Sequence, residues 1–107
     1  MTFQRAVALG DLSSGEMLGC RVGARRVLLA RVGEEVHAYE DRCAHLGVPL
    51  SEGKLNDTRL MCHAHYWEYD LVTGCGVNPS GVCLVRFPVR VEDGIVLVDV
   101  DIEAEQP

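Results

Sequence analysis

The chain has 107 residues, of which 48% are apolar and 24% are charged. This composition fits a globular domain with its own hydrophobic core and excludes a disordered chain. The formal net charge of −6 argues against nucleic acid and anionic membranes as partners, because phosphate groups are bound by clusters of Lys and Arg.

Short runs of β-branched and apolar residues, separated by turn residues, dominate both ends of the chain. The predicted strands are residues 4–9, 25–31, 35–39, 89–92 and 95–100. Asp93-Gly94, between the last two strands, is a strong hairpin signal. The fold class is therefore all-β, with a basal antiparallel barrel or sandwich built from the chain ends.

The N-terminal residues lack the apolar segment of a signal peptide, and no run of about 18 apolar residues occurs along the chain. We therefore expect a soluble cytoplasmic protein with no membrane contact. In that reducing compartment the five cysteines are expected to be thiols or metal ligands rather than disulfides.

The middle of the chain, residues 41–81, has a different character. Strand alternation gives way there to Cys, His, Gly, Pro and aromatic residues. A segment without regular strand alternation inside a small β-protein is a candidate for the functional site.

Two short motifs in this segment carry metal-binding side chains. Cys43-Ala44-His45 is followed, after residues 46–61, by Cys62-His63-Ala64-His65. Each motif offers one thiolate and one imidazole. A Cys₂His₂ zinc site remains open, although C-x-H is a poor zinc knuckle. A two-iron cluster suits the pattern better, with both cysteines on one iron and both histidines on the other, because each loop then gives one ligand to each iron.

The pattern C-x-H…C-x-x-H resembles the signature of the Rieske [2Fe–2S] family, and the resemblance extends over about residues 2–100. It implies a Rieske fold in a single domain, 1–107, with a small cluster-binding β-subdomain at about 41–81. It also implies one [2Fe–2S] cluster and no catalytic residue. The implied cluster ligands are Cys43, His45, Cys62 and His65. The residues expected to surround them are Leu46, Gly47, Tyr66, Trp67 and Pro79.

Within that family the chain is most similar to free ferredoxins. Val48 and Ala64 stand where Rieske proteins of quinol-oxidising complexes carry extra cysteines. A chain of 107 residues has no room for the catalytic domain of a terminal oxygenase. His63 stands where ferredoxins of aromatic-ring dioxygenases more often have proline, and the second loop resembles the ferredoxin component of soluble diiron monooxygenases that act on toluene, alkenes or isoprene.

The resemblance implies an electron carrier rather than an enzyme. Its expected partners are an NADH-dependent reductase with flavin and iron–sulfur centres and a diiron hydroxylase. Three alternatives stay open: the ferredoxin of a Rieske dioxygenase system, the small subunit of an assimilatory nitrite reductase, and a Cys₂His₂ zinc interaction module.

Several Cys and His residues lie outside the ligand motifs. Cys20, Cys75 and Cys83 are expected to be small buried apolar residues, with a position near the cluster as the alternative for Cys75. His37, in an alternating strand, is expected to be structural. His63 is expected to be exposed or hydrogen-bonded near the cluster.

Overall fold

A computed structural model describes residues 3–42, 49–62, 67–78 and 82–100. These residues form antiparallel strands and two short 3₁₀ turns, Leu9–Asp11 and Leu50–Glu52. The strands are β1 Gln4–Ala8, β2 Met17–Val22, β3 Arg25–Val32, β4 Glu35–Glu40, β5 Lys54–Asn56, β6 Arg59–Met61, β7 Glu68–Asp70, β8 Gly76–Asn78, β9 Arg86–Phe87, β10 Val89–Glu92 and β11 Ile95–Val98. The prediction of an all-β fold is confirmed.

The strands form three antiparallel sheets. The outer sheet has the order β1-β11-β10, the central sheet β2-β3-β4-β9, and the distal sheet β5-β6-β7-β8. Each sheet consists largely of strands that follow one another along the chain, because short turns connect antiparallel neighbours. The distal sheet lies within the segment predicted to form a cluster-binding subdomain, and that division of the chain stays a prediction.

The central sheet is covered on both faces, and β3 shows why. Four consecutive residues of β3, Val27 to Ala30, are buried. Because side chains alternate across a strand, Val27 and Leu29 pack towards the outer sheet, whereas Leu28 and Ala30 pack towards the distal sheet. The described residues therefore form two hydrophobic cores, one on each side of the central sheet.

The hairpin predicted at Asp93-Gly94 is confirmed. β10 and β11 pair in register through Glu92 and Ile95. Asp93 has a φ of 51° and Gly94 a φ of 75°, as a two-residue turn with left-handed central residues requires. β1 pairs with β11 at the edge of the outer sheet, so the prediction of an edge strand is also confirmed.

Candidate metal centre

Of the four predicted ligands, the structure describes Cys62; Cys43, His45 and His65 lie outside the described residues. Cys62 directly follows β6, is fully buried and belongs to the core between the central and distal sheets. Its backbone N–H donates a hydrogen bond of 2.8 Å to the carbonyl of Trp67. This bond joins the two ends of the loop that contains the second motif.

The register of the distal sheet shows where that loop lies. Lys54 pairs with Met61, Met61 with Glu68, and Glu68 with Asn78. These four residues form one row across the end of the sheet. Cys62 follows directly after Met61 and Trp67 directly precedes Glu68, so the segment with the second motif begins and ends at this end of the distal sheet.

The segment with the first motif is closed at its base by Asp41 and Ser51. The Asp41 side chain is buried and accepts two hydrogen bonds from Ser51, 2.8 Å from the backbone N–H to Oδ1 and 2.6 Å from the hydroxyl to Oδ2. The Asp41 N–H donates to the carbonyl of Arg26 in β3 at 3.0 Å. Both ends of the segment are thereby attached to the central sheet.

Gly53 follows the segment with the first motif and lies directly against the end of β6, the strand that precedes the second motif. A Cβ atom on Gly53 would lie 2.0 Å from the carbonyl oxygen of Met61, a distance that no side chain tolerates. Glycine is therefore required by the close approach of the two backbones. The chain that returns from the first motif and the chain that enters the second motif are direct neighbours.

A third loop closes beside the first two. The Gly76 N–H donates to the carbonyl of Val82 at 2.6 Å, and Cys75 and Cys83 form a disulfide across an isolated antiparallel bridge. The loop between them contains Pro79, which with Leu46, Gly47 and Tyr66 lies outside the described residues. Because Glu68 pairs with Asn78, this loop leaves the distal sheet at the same end as the second motif.

The disulfide corrects the prediction for two cysteines. Cys75 is half-buried and Cys83 is exposed, and the two are bonded to each other rather than buried as free thiols. The sequence does hold a signal: Cys75 and Cys83 lie four positions before and four positions after Pro79, a spacing that suits two cysteines facing each other across an antiparallel bridge. An expectation based on the redox compartment missed it.

Cys20, Trp67 and His37, which are not predicted ligands, are each at least half-buried. Cys20 is a free, half-buried thiol that packs on the core beneath the outer sheet, and burial, then the nearby Asp41 carboxylate, raises its pKa. Trp67 packs against the core between the central and distal sheets. The His37 side chain is 10% exposed and lies 3.7 Å from Glu35, with its pKa lowered mainly by burial. His63 lies outside the described residues.

The described surroundings suit an iron–sulfur cluster. Cys62 is fully buried among Leu60, Tyr69 and other apolar residues, and thiolate ligands in a water-poor setting are those that iron–sulfur clusters use. Sequence reasoning had missed Asp41, because an isolated acidic residue beside a motif carries no pattern.

Comparison with known proteins decides the family. The model of the Rieske [2Fe-2S] domain matches residues 2–88. The chain belongs to the Rieske [2Fe–2S] family. Its cofactor is accordingly one [2Fe–2S] cluster, and this Rieske domain is a ferredoxin-type electron carrier.

Three relatives extend over most of this Rieske domain. The ferredoxin component of the alkene monooxygenase system of Xanthobacter autotrophicus is 45% identical over 92 residues, which cover 85% of this chain and 75% of the relative. The ferredoxin component of biphenyl 2,3-dioxygenase from Rhodococcus jostii is 36% identical and covers 94% and 95% of the two chains. A solved complex of reduced oxygenase and oxidized ferredoxin in carbazole 1,9a-dioxygenase contains a chain that is 34% identical, with a TM-score of 0.82 and coverage of 90% and 91%.

In the described parts of the chain, no helix has the length and apolar character needed to cross a bilayer.

Proposed function

We propose that this Rieske domain carries single electrons in the cytoplasm from an NADH-dependent flavin and iron–sulfur reductase to the diiron hydroxylase of a monooxygenase system, and that it catalyses no bond chemistry itself. The observation that carries the proposal is the approach of Gly53 to Met61, which joins the segments of the two ligand motifs at one end of the distal sheet. The similarity to the alkene monooxygenase ferredoxin supports the choice of hydroxylase.

The proposed ligands are Cys43 and Cys62 on one iron and His45 and His65 on the other. When bound, such a cluster takes up and releases one electron without making or breaking a bond within the protein. Two thiolates instead of four leave the site less negative, so its reduction potential should lie above that of a Cys₄ ferredoxin. Because the Cys62 side chain is fully buried, water is excluded from its sulfur. The hydrogen bond from Cys62 to Trp67 holds the ends of its loop together.

The first experiment is an absorption and low-temperature EPR spectrum of anaerobically purified protein, with iron and sulfide assays. We expect two irons, two sulfides and a rhombic signal on reduction. The variants Cys43→Ser, His45→Ala, Cys62→Ser and His65→Ala should each abolish that signal, whereas His63→Ala and Cys20→Ser should keep it. A colourless protein that binds one zinc, and that stays colourless after reconstitution with iron and sulfide, would contradict the proposal and favour a zinc interaction module.

A second candidate function is that of the ferredoxin in a Rieske dioxygenase system. The similarity to the biphenyl dioxygenase ferredoxin over 94% of this chain favours it. The two candidates differ only in the oxygenase that accepts the electron. Turnover should therefore be measured with a purified diiron hydroxylase and with a purified Rieske dioxygenase, each supplied with the same reductase. Faster turnover with the dioxygenase would reverse our preference.

A further inference from the structure

Three residues that are not proposed ligands lie close together at the base of the first ligand loop. They are Asp41 and Ser51, at the two ends of the loop, and Gly19 in β2. Asp41 is 7% exposed, and its carboxylate is engaged through both oxygens by Ser51, at 2.8 Å from the backbone N–H and 2.6 Å from the hydroxyl. Hydrogen bonds to an ionised acceptor are stronger than neutral ones.

The group is attached to the central sheet from two sides. The backbone N–H of Asp41 bonds the carbonyl of Arg26 in β3 at 3.0 Å. From β2, Gly19 faces the pair so closely that an added Cβ would lie 2.5 Å from the Ser51 hydroxyl oxygen and 2.8 Å from Asp41 Oδ2. Only a residue without a side chain lets β2 lie against both partners.

The consequence for the loop follows from its connections. The loop begins after Asp41, which follows β4, and ends before Ser51 in the 3₁₀ turn Leu50–Glu52, so the hydrogen bonds of this pair join its two ends. If the pair is broken, a buried carboxylate loses its donors, which is costly, and the loop ends gain freedom to move apart. A cluster held partly by that loop then loses its fixed ligand geometry, which controls both retention and redox properties.

We propose that Asp41, Ser51 and Gly19 form a positioning clamp that holds the first ligand loop in the geometry needed to retain the cluster and keep its electronic structure uniform. The proposal rests on the proposed function, because it assumes that Cys43 and His45 are ligands. The three clamp residues are not among the proposed ligands, and they act through the backbone of the loop.

The test measures how fast the cluster is lost from the purified, cluster-loaded protein in the presence of an iron chelator, followed by visible absorbance, together with the EPR line widths of the reduced protein. Asp41→Ala and Ser51→Ala should lose the cluster at least about tenfold faster than the native chain, since each breaks a charge-assisted hydrogen bond. Their EPR lines should broaden, because a released loop adopts several geometries. Ser51→Thr keeps the hydroxyl and should restore slow loss and narrow lines.

Gly19→Ala tests the same clamp from β2 without altering either partner. The added methyl group pushes Ser51 and Asp41 apart, so it should reproduce the fast loss. Gly10→Ala is its matched control, because in the described part of the chain no atom beyond its immediate neighbours lies within 4 Å of the added Cβ. Ser14→Ala is the control for the hydroxyl: Ser14 accepts a hydrogen bond from the Gly33 N–H at 2.8 Å in a different turn, and its loss should leave cluster retention unchanged.

Val96→Ala separates local positioning from general destabilisation. Val96 is fully buried in the core beneath the outer sheet, away from the loop. Val96→Ala and Asp41→Ala are compared under conditions in which both variants have lost the same thermal stability. If Val96→Ala then loses the cluster as fast as Asp41→Ala does, the clamp proposal is wrong. The proposal is also wrong if the native chain holds a cluster and the variants Asp41→Ala, Ser51→Ala and Gly19→Ala lose it at the native rate with the native EPR line widths. A native chain that holds no [2Fe–2S] cluster would instead overturn the proposed function.

Discussion

Tyr39 shows how a single side chain joins two layers of the protein. It lies in β4, is fully buried, and donates its hydroxyl hydrogen to the backbone carbonyl of Leu71, which follows β7. Burial raises the pKa of this tyrosine, so the hydroxyl remains protonated and able to donate at neutral pH. The bond therefore ties the central sheet to the distal sheet, from which the segment with the second motif begins.

Removal of that hydroxyl should weaken the attachment. Tyr39→Phe leaves the ring in place but deprives the buried Leu71 carbonyl of its donor, which should cost about 1–3 kcal/mol of unfolding free energy. Urea denaturation of the cluster-loaded protein measures this as a lower midpoint with an unchanged slope. A midpoint equal to that of the native chain would mean that the bond makes no net contribution.

His37 makes the stability depend on pH. Burial lowers its pKa in the folded chain, although the nearby Glu35 partly opposes the shift, whereas the unfolded chain has the ordinary value of about 6.5. Between these two values the unfolded state binds more protons, so stability is full above the unfolded pKa and falls as the pH decreases through the window below it. His37→Asn should flatten this decrease. Denaturant midpoints of both proteins between pH 7.5 and 5.5 provide the check, and parallel curves would contradict the assignment.

At the scale of elements, the disulfide closes the third loop. Cys75 and Cys83 are separated by eight positions, and a cross-link over so short a loop is worth roughly 2–3 kcal/mol through the entropy of the unfolded chain. The double variant Cys75→Ser/Cys83→Ser should be less stable by about that amount in non-reducing denaturation. A strong reductant should destabilise the native chain and leave the double variant unaffected. Equal stability of the two proteins without reductant would show that the cross-link contributes nothing.

At the scale of the whole molecule, the charge distribution bears on docking. The chain carries a net charge of −6, and Glu52 and Glu68 lie at the end of the distal sheet from which the ligand loops emerge. A basic partner surface would be attracted to that end, with a rate that falls as salt increases. Oppositely charged partners also orient each other before contact.

Charge reversal at these positions should therefore slow electron transfer. Glu52→Lys and Glu68→Lys are expected to lower the second-order rate constant of reduction by the purified reductase and to weaken its dependence on ionic strength. The control is Glu34→Lys, in the turn between β3 and β4 at the opposite end of β4 from Asp41. If the rate constant does not change with ionic strength for any of the four proteins, docking is not guided by this charge.

The sequence by itself determined the features that depend on neighbouring residues. Asp93 and Gly94 adopt positive φ angles of 51° and 75° because a two-residue hairpin turn requires them. The Asp-Gly dipeptide in the sequence predicts that turn. The spacing of Cys43, His45, Cys62 and His65 predicted the Rieske [2Fe–2S] family, which the match to the family model confirms; the assignment of these four residues as cluster ligands stays a prediction.

Only the tertiary structure decided which distant residues meet. The contact of Gly53 with Met61, the burial of Asp41 against Ser51 and Gly19, and the attachment of Tyr39 to Leu71 all depend on how the three sheets stack. The disulfide between Cys75 and Cys83 also depends on the antiparallel bridge that sets them opposite each other. The physical reason is that local patterns fix the conformation of a segment, whereas contacts between segments depend on the shape and packing of the whole chain.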